Sequence, residues 1–366
     1  MARIHNFNAG PAALPLPVLE RAQREMVEYD GTGMSLLEHS HRGATYDAVH
    51  AEAIQRLRDL MGIADDYEVL FLQGGASLQF AMIPMNLLGE GKSADYVVTG
   101  AWSKKALGEA KTVGAMAGGT ARAAADVFVD GVCTRIPKQD ELELDAQAAY
   151  VHITTNNTIF GTQFHDWPDT GGVPLIADMS SDILWRPTDV TKFDLIYAGA
   201  QKNVGPSGLA IVIVKKSLVE AARKEIPNIL RYDVHASKSS LFNTPNTFAI
   251  YMVRNVAQHL QELGGLEAVE KTNRQKGDLI YEAIDADPDF FRATVDKDSR
   301  SYMNVVFKLP SAELDKKFVA QAADKGLWGL KGHRSAGGLR ASIYNAVSKE
   351  SVEALVSFMS DFRKAS

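Results

Sequence analysis

Between Val173 and Val214 three short apolar runs alternate with polar turns, and this stretch restricts the fold more than any other. One run ends at Asp178, the second covers Phe193 to about Gly199, and the third is Leu209 to Val214. Runs of about five to seven mostly apolar residues bounded by turn signals read as buried strands and are too short to read as helices. Gln201 and Lys202 follow the second run, just before a Gly-Pro-Ser-Gly turn at Gly205 to Gly208. Open α/β sheets bind ligands beyond the carboxyl ends of their strands. An acid and a lysine at such ends are therefore either parts of a site or two ordinary loop positions, and this stretch alone does not choose.

The same alternation extends upstream. Tyr67 to Leu72, Asp95 to Thr99 and Ala149 to Thr154 read as strands, with helices running to Leu88 and from about Lys104. Strands alternating with helices over residues 67 to 214 predict an α/β fold with a mainly parallel, doubly wound sheet. From about residue 265 the pattern becomes α+β: a strand at Met303 to Leu309, a helix at Ala312 to Lys325, a strand at Leu339 to Ile343 and a closing helix at Lys349 to Phe362. A chain of 366 residues is longer than one typical domain. The expected division is an N-terminal arm at 1–17 that joins the small domain, a large domain at 18–264 and a small C-terminal domain at 265–366. Pro11, Pro15 and Pro17 argue against regular helix in the arm. Thr45 is the expected N-cap of a helix ending at Gly62. Residues 114 to 127 are rich in Ala and Gly and show no pattern, and Leu230 to Pro245 reads as a long polar connection.

Net charge is −6, so no global basic field points to nucleic acid or an anionic membrane. The single cysteine, Cys133, allows neither an internal disulfide nor a cysteine-based metal cluster. The first residues lack the apolar core of a signal peptide, and no apolar run approaches the roughly 20 residues that span a bilayer. A cytoplasmic protein is the expectation.

Several motifs carry chemistry. Gln73-Gly74-Gly75-Ala76-Ser77 stands between a strand and a helix, the geometry in which unpaired first-turn amides bind phosphate; taken alone it reads more readily as a tight turn before a helix. Dinucleotide and P-loop fingerprints do not fit. Trp102, just past a strand, is either core or a platform for a planar ligand. Arg340 lies within an expected strand, where a guanidinium needs a bound carboxylate or an internal acid. His333-Arg334 and His41-Arg42 suit anions or are solvated basic loops. A metal at His39 and His41 finds no nearby pair of carboxylates or cysteines.

The ordered set FNAGPAALP (Phe7 to Pro15), HSHRG (His39 to Gly43), LQGGASLQF (Leu72 to Phe80), TGAWS (Thr99 to Ser103), NNT (Asn156 to Thr158), IADMSSD (Ile176 to Asp182), YAGAQKNVGPSGL (Tyr197 to Leu209), FNTPNTF (Phe242 to Phe248) and GHRSAGGLRASIYNA (Gly332 to Ala346) resembles the phosphoserine aminotransferases, pyridoxal-phosphate enzymes of fold type I. The resemblance runs from end to end. It implies that Lys202 bonds the cofactor's aldehyde carbon and shuttles a proton, and that Asp178 pairs with the pyridine nitrogen. Trp102 would stack on the ring. Ala76, Ser77 and Gln201 would hold the phosphate, and Thr158 would contact the phenolic oxygen. Asn243 and Thr244 match a phosphate-binding pair donated across a homodimer interface. Arg340 matches the clamp for the substrate α-carboxylate, a bidentate task. His41 and Arg42 of a partner, with His333 and Arg334, match the site for the substrate's own phosphate.

The implied reaction is transamination between L-glutamate and 3-phosphohydroxypyruvate. The same resemblance raises 3-hydroxy-2-oxo-4-phosphobutanoate, of vitamin B6 synthesis, as a further substrate. Ala9 stands where the family often has serine, and Leu78 where it often has glycine. A serine or alanine transaminase acting on glyoxylate or pyruvate is disfavoured by the two His-Arg pairs. A non-catalytic module of this fold is disfavoured because both Lys202 and Asp178 are present. A cysteine desulfurase is disfavoured because Cys133 lies outside every matched motif.

Overall fold

In a computed structural model that describes residues 3–366, the chain begins with β1 (His5–Asn6), α1 (Leu16–Glu25) and α2 (Ala44–Met61). There follow β2 (Tyr67–Gln73), α3 (Gly75–Leu87), β3 (Ser93–Val98), α4 (Ala101–Ala117), β4 (Thr120–Asp126) and β5 (Val151–Thr154). A small hairpin, β6 (Asn156–Asn157) and β7 (Thr162–Gln163), precedes β8 (Leu175–Asp178), β9 (Leu195–Gly199) and β10 (Leu209–Lys215). The remainder comprises α5 (Lys216–Glu220), α6 (Tyr232–Ala236), α7 (Thr247–Glu262), α8 (Gly265–Asp285), β11 (Arg292–Ala293), β12 (Asn304–Lys308), α9 (Ala312–Asp324), β13 (Leu327–Trp328), β14 (Leu339–Ser342) and α10 (Lys349–Lys364).

The main sheet has seven strands in the order β2-β10-β9-β8-β5-β3-β4. The run from β9 to β4 is parallel, and β10 is antiparallel to both of its neighbours. Two reversals return β2 to the common direction. The carboxyl ends of β2, β3, β5, β8 and β9 and the amino end of β10 therefore share one rim, where Gln73 and Gly199 stand beside Leu209 and Ala210.

Successive side chains point to opposite faces of a strand, and both faces here are apolar. Phe71, Ile153, Ala177 and Ile211 join Val49 and Leu57 of α2 and Ile250 and Val253 of α7 in one core. Leu72, Val98, Ile176 and Val212 join Phe80 of α3 and Ala110 of α4 in the other. Helices on both faces make the sheet doubly wound. A third core gathers Phe307, Phe318, Leu339 and Phe362 with Phe7 from the N-terminal segment, where β1 pairs in parallel with β13. Helix α8 serves two cores, placing Leu266 and Val269 in the first and Ile280 and Ile284 in the third.

Some local expectations fail for identifiable reasons. Helix α1 starts at Leu16 with Pro17 in its first turn, where a missing N–H removes no intrahelical bond. Helix α2 starts at Ala44, and its N-cap is Gly43 in an extended conformation, not Thr45. Helix α4 starts at Ala101, so Trp102 lies in its first turn. The patternless Ala-rich segment forms β4 at the sheet edge. The 230–245 connection contains α6, and Tyr232, His235 and Ser240 are buried. Among the described residues no helix is long and apolar enough to cross a membrane.

Candidate active site

The rim encloses a cavity of about 390 Å³ lined by Gly10, Gly74 to Ser77, Trp102, Asp178, Ser180, Gln201, Lys202 and Ser207. Helix α3 opens onto it. Its N-cap, Gly74, has φ of +86° and no side chain bonds the first amides, so those donors are available. Leu78 folds back over Gly74, and a Cβ at Gly74 would meet Leu78 Cβ at 2.6 Å. The leucine is thus accommodated because glycine stands four residues earlier. Thr158, buried, lies in the β6–β7 hairpin, which Gly161 closes by donating its amide to Asn157.

Lys202 Nζ donates to Thr158 Oγ1 at 2.8 Å and stands 5.4 Å from the Trp102 ring centre. Part of the side chain borders the cavity, yet burial around the amine lowers its pKa to about 8; Asp178 and Asp182 oppose that shift and Arg340 adds to it. Burial raises the pKa of Asp178, opposed first by Lys202 and then by Ser180. Asp178 Oδ1 accepts from Ser180 Oγ at 2.5 Å and from the Ser180 amide at 2.9 Å. The N-terminal segment crosses above, with the Ala12 amide donating to the Gln201 carbonyl at 2.9 Å. Gly10 there has φ of +147°, and a Cβ on it would come within 3.3 Å of Lys202 Cγ. Gln201 Oε1 and Trp102 Nε1 are buried without a partner.

Arg340, on β14, donates to the Thr158 carbonyl at 3.2 Å, and its Nε is buried without a partner. No ion pair among the described residues includes it. No internal acid pairs with it, which leaves the bound-carboxylate reading. His333 and Arg334 are exposed in the loop before β14, and His333 Nδ1 lies 2.8 Å from Ser335 Oγ. Burial lowers the pKa of His333, and the charges of Arg340, Arg334 and Lys105 lower it further. Arg340 is joined to the site through Thr158, and His333 feels the charges of Arg340, Arg334 and Lys105.

The other four anticipated residues are not brought to the cavity. Arg42 is exposed, and His41 carries a buried Nε2 without a partner. Thr244 is exposed and its carbonyl accepts from Gln73 Nε2 at 2.8 Å, while Asn243 borders a separate small cleft with Phe71 and Ile229. Ser180, Lys105 and Gly10 escaped the sequence reading. Ser180 carried a signal, since a serine two residues past a strand-end acid can cap it, whereas nothing local marks Lys105. A larger cleft, about 670 Å³, contains Arg274, Asp285 and Arg300. Its two arginines are already paired: Arg300 grips Asp285 at 2.6 and 2.8 Å, and Arg274 meets Glu270 at 2.7 Å. Among the described residues no cluster suited to a metal ion is found.

The family model for class-V aminotransferases matches residues 4–355. Phosphoserine aminotransferase of Niallia circulans is 57% identical over 363 residues, covering 99% of each chain. The solved phosphoserine aminotransferase from Bacillus circulans subsp. alkalophilus superimposes with a TM-score of 0.94 at 56% identity, covering 99% of both chains. A pyridoxal-phosphate-bound phosphoserine aminotransferase from Trichomonas vaginalis gives 0.93 at 41% identity, covering 98% of this chain and 100% of that one.

Proposed function

The chain belongs to the class-V aminotransferases, and on that footing we propose that it transfers the amino group of L-glutamate to 3-phosphohydroxypyruvate, giving 2-oxoglutarate and O-phospho-L-serine with pyridoxal phosphate as cofactor. The observation that carries the reading is that Lys202 and Asp178 face one cavity from adjacent strand ends. The residues fit the cofactor. A first helical turn with free amides suits a phosphate, the Trp102 face suits a planar ring, and Gln201 Oε1 and Trp102 Nε1 lack partners. Pyridoxal phosphate, when bound, supplies an electron-withdrawing ring that stabilises the charge left on Cα when its proton departs.

The chain's own residues would do the rest. Lys202, with its pKa lowered to about 8, is poised to take a proton from the substrate Cα and would deliver it to the carbon that had been the cofactor's aldehyde, since a base works best with a pKa near the working pH. Thr158 aims the amine. Asp178 holds the proton on the ring nitrogen. Ala76, Ser77 and Gln201 hold the phosphate, with Asn243 and Thr244 from a second copy of the chain. Arg340 clamps the α-carboxylate with its unpaired edge. His333 and Arg334, joined by Lys105 and by His41 and Arg42 from the second copy, hold the substrate phosphate. A homodimer with shared sites is part of this reading, in which His41, Arg42, Asn243 and Thr244 serve the site of the neighbouring copy.

Steady-state assays with glutamate and either 3-phosphohydroxypyruvate or unphosphorylated hydroxypyruvate test the assignment. The phosphorylated acid should be preferred, because the basic side chains assigned to its phosphate find no anion in the plain acid. Equal turnover of the two would favour a glyoxylate-type transaminase. The same assay with 3-hydroxy-2-oxo-4-phosphobutanoate reads the second phosphorylated substrate. Lys202→Ala should lose at least about 10²–10⁴-fold in kcat.

A further inference from the structure

Behind Asp178 the sheet face carries polar groups that none of the steps above uses. Across the parallel ladder His152 pairs with Ile176, and Asp178 pairs with Tyr197. His152, Tyr197 and Asp178 therefore project from the same face. His152 Nε2 lies 2.8 Å from the Tyr197 hydroxyl, and the register of Tyr197 opposite Asp178 brings that hydroxyl near the Asp178 carboxylate. The His152 ring stacks on Tyr96 with centroids 4.8 Å apart, and the Tyr96 and Tyr150 hydroxyls meet at 2.7 Å. His152 and Tyr197 are buried, and His152 Nδ1 has no partner.

The Tyr197 hydroxyl has one proton and two neighbours that can receive it. Burial keeps His152 neutral, so its ring bears a single N–H. With that proton on Nε2, His152 donates to the phenolic oxygen and the phenol turns its own proton to Asp178. With the proton on Nδ1, a buried N–H finds no partner outside its own residue, and the phenol donates to His152 instead of the carboxylate. Orphaned buried donors are rarer and costlier than under-used acceptors.

We propose that His152 and Tyr197 are positioning residues: His152, protonated on Nε2, directs the Tyr197 hydroxyl proton onto Asp178, adding a donor to the two that Ser180 supplies and holding the carboxylate ionised and aimed at the cavity. The inference rests on the pairing of Asp178 with the cofactor's ring nitrogen proposed above. Donors to a carboxylate favour its charged form, which full burial otherwise opposes. Only the charged form keeps a proton on the ring nitrogen. The stack on Tyr96 fixes the plane of the imidazole, and with it the direction of the relay.

Two measurements on the holoenzyme decide the matter. In wild-type protein labelled with ¹⁵N-histidine, His152 should show a one-bond N–H coupling at Nε2 and none at Nδ1; the reverse pattern overturns the proposal without needing any variant. In Tyr197→Phe the absorption band of the bound cofactor should titrate at a different pH from wild type. kcat should fall on the order of 10–100-fold, as when outer partners of bound groups are removed elsewhere, with KM for glutamate little changed. His152→Gln, which retains an amide N–H, should recover part of the activity that His152→Leu loses. A Tyr197→Phe holoenzyme whose spectrum and titration superimpose on wild type overturns the proposal. A purified wild-type chain with no cofactor band would sink the reading of the site as well, whereas a normal band with Nδ1 protonation sinks this inference alone.

Discussion

At the scale of the residue, the central quantity is the proton on Lys202. Burial brings its pKa to about 8, and the Arg340 charge contributes to that lowering. Only the neutral amine can attack an aldehyde. The rate at which apoprotein takes up pyridoxal phosphate should fall about tenfold for each pH unit below the Lys202 pKa and level off above it. Removing a positive neighbour raises a lysine pKa, so Arg340→Gln should move the profile to higher pH. Stopped-flow absorbance reads both effects, and an unmoved midpoint in Arg340→Gln would contradict the coupling. Lys202 and Asp178 were candidates because each stands at or shortly past the end of an apolar run, and the resemblance supplied their roles. Tyr197 was not, because it sits inside such a run and reads as core; only the register that sets it beside Asp178 gives its hydroxyl a task.

At the scale of the element, the start of α3 ties a backbone conformation to a binding site. Gly74→Ala places a Cβ in the left-handed region, at a cost of roughly 1–2 kcal/mol, and drives it into Leu78. The expected result is weaker pyridoxal phosphate binding in equilibrium dialysis, with turnover at saturating cofactor much less affected. Leu78→Gly introduced alongside should recover part of the loss, since residues in contact couple energetically; purely additive effects would show that the contact does not matter. Elements with strong apolar runs, such as β2, β9 and β10, were readable to within a residue or two. Strand β4 was not, because alanine and arginine carry little strand preference and its place depends on pairing with β3 and on the bond from Arg122 to the buried Asp95. Residues 18–29 carry helical character in the sequence, and only the start of helix α1 was missed, because the effect of Pro17 depends on which turn it occupies.

At the scale of the whole molecule, the site is divided between the cavity and segments that do not reach it. Leu37 and Phe242 are exposed close in sequence to His41 and Asn243, as expected of surfaces covered by a second copy. Sedimentation should give a dimer. Mixing Lys202→Ala with Arg42→Ala, each inactive alone, should restore activity to roughly a quarter of the sites when subunits exchange at random, because a shared isologous interface leaves one intact site per heterodimer; no recovery after verified exchange would place Arg42 in its own chain's site. The resemblance supplied this division, since nothing in the order of residues shows which side of an interface a loop will serve. The reversed direction of β10 has a consequence of a different kind. A parallel neighbour would need a crossover of a dozen or more residues between β9 and itself; the antiparallel one is reached through a short turn. Lys202 therefore lies on the connection between two largely buried strands, Leu195–Gly199 and Leu209–Lys215. Its position should be lost only when the sheet itself opens. The amides of Ala198 and Ile211 should exchange with deuterium by global unfolding, while those of the 331–338 loop exchange by local opening, so the amine would keep its place while the loop proposed to hold the substrate phosphate moves.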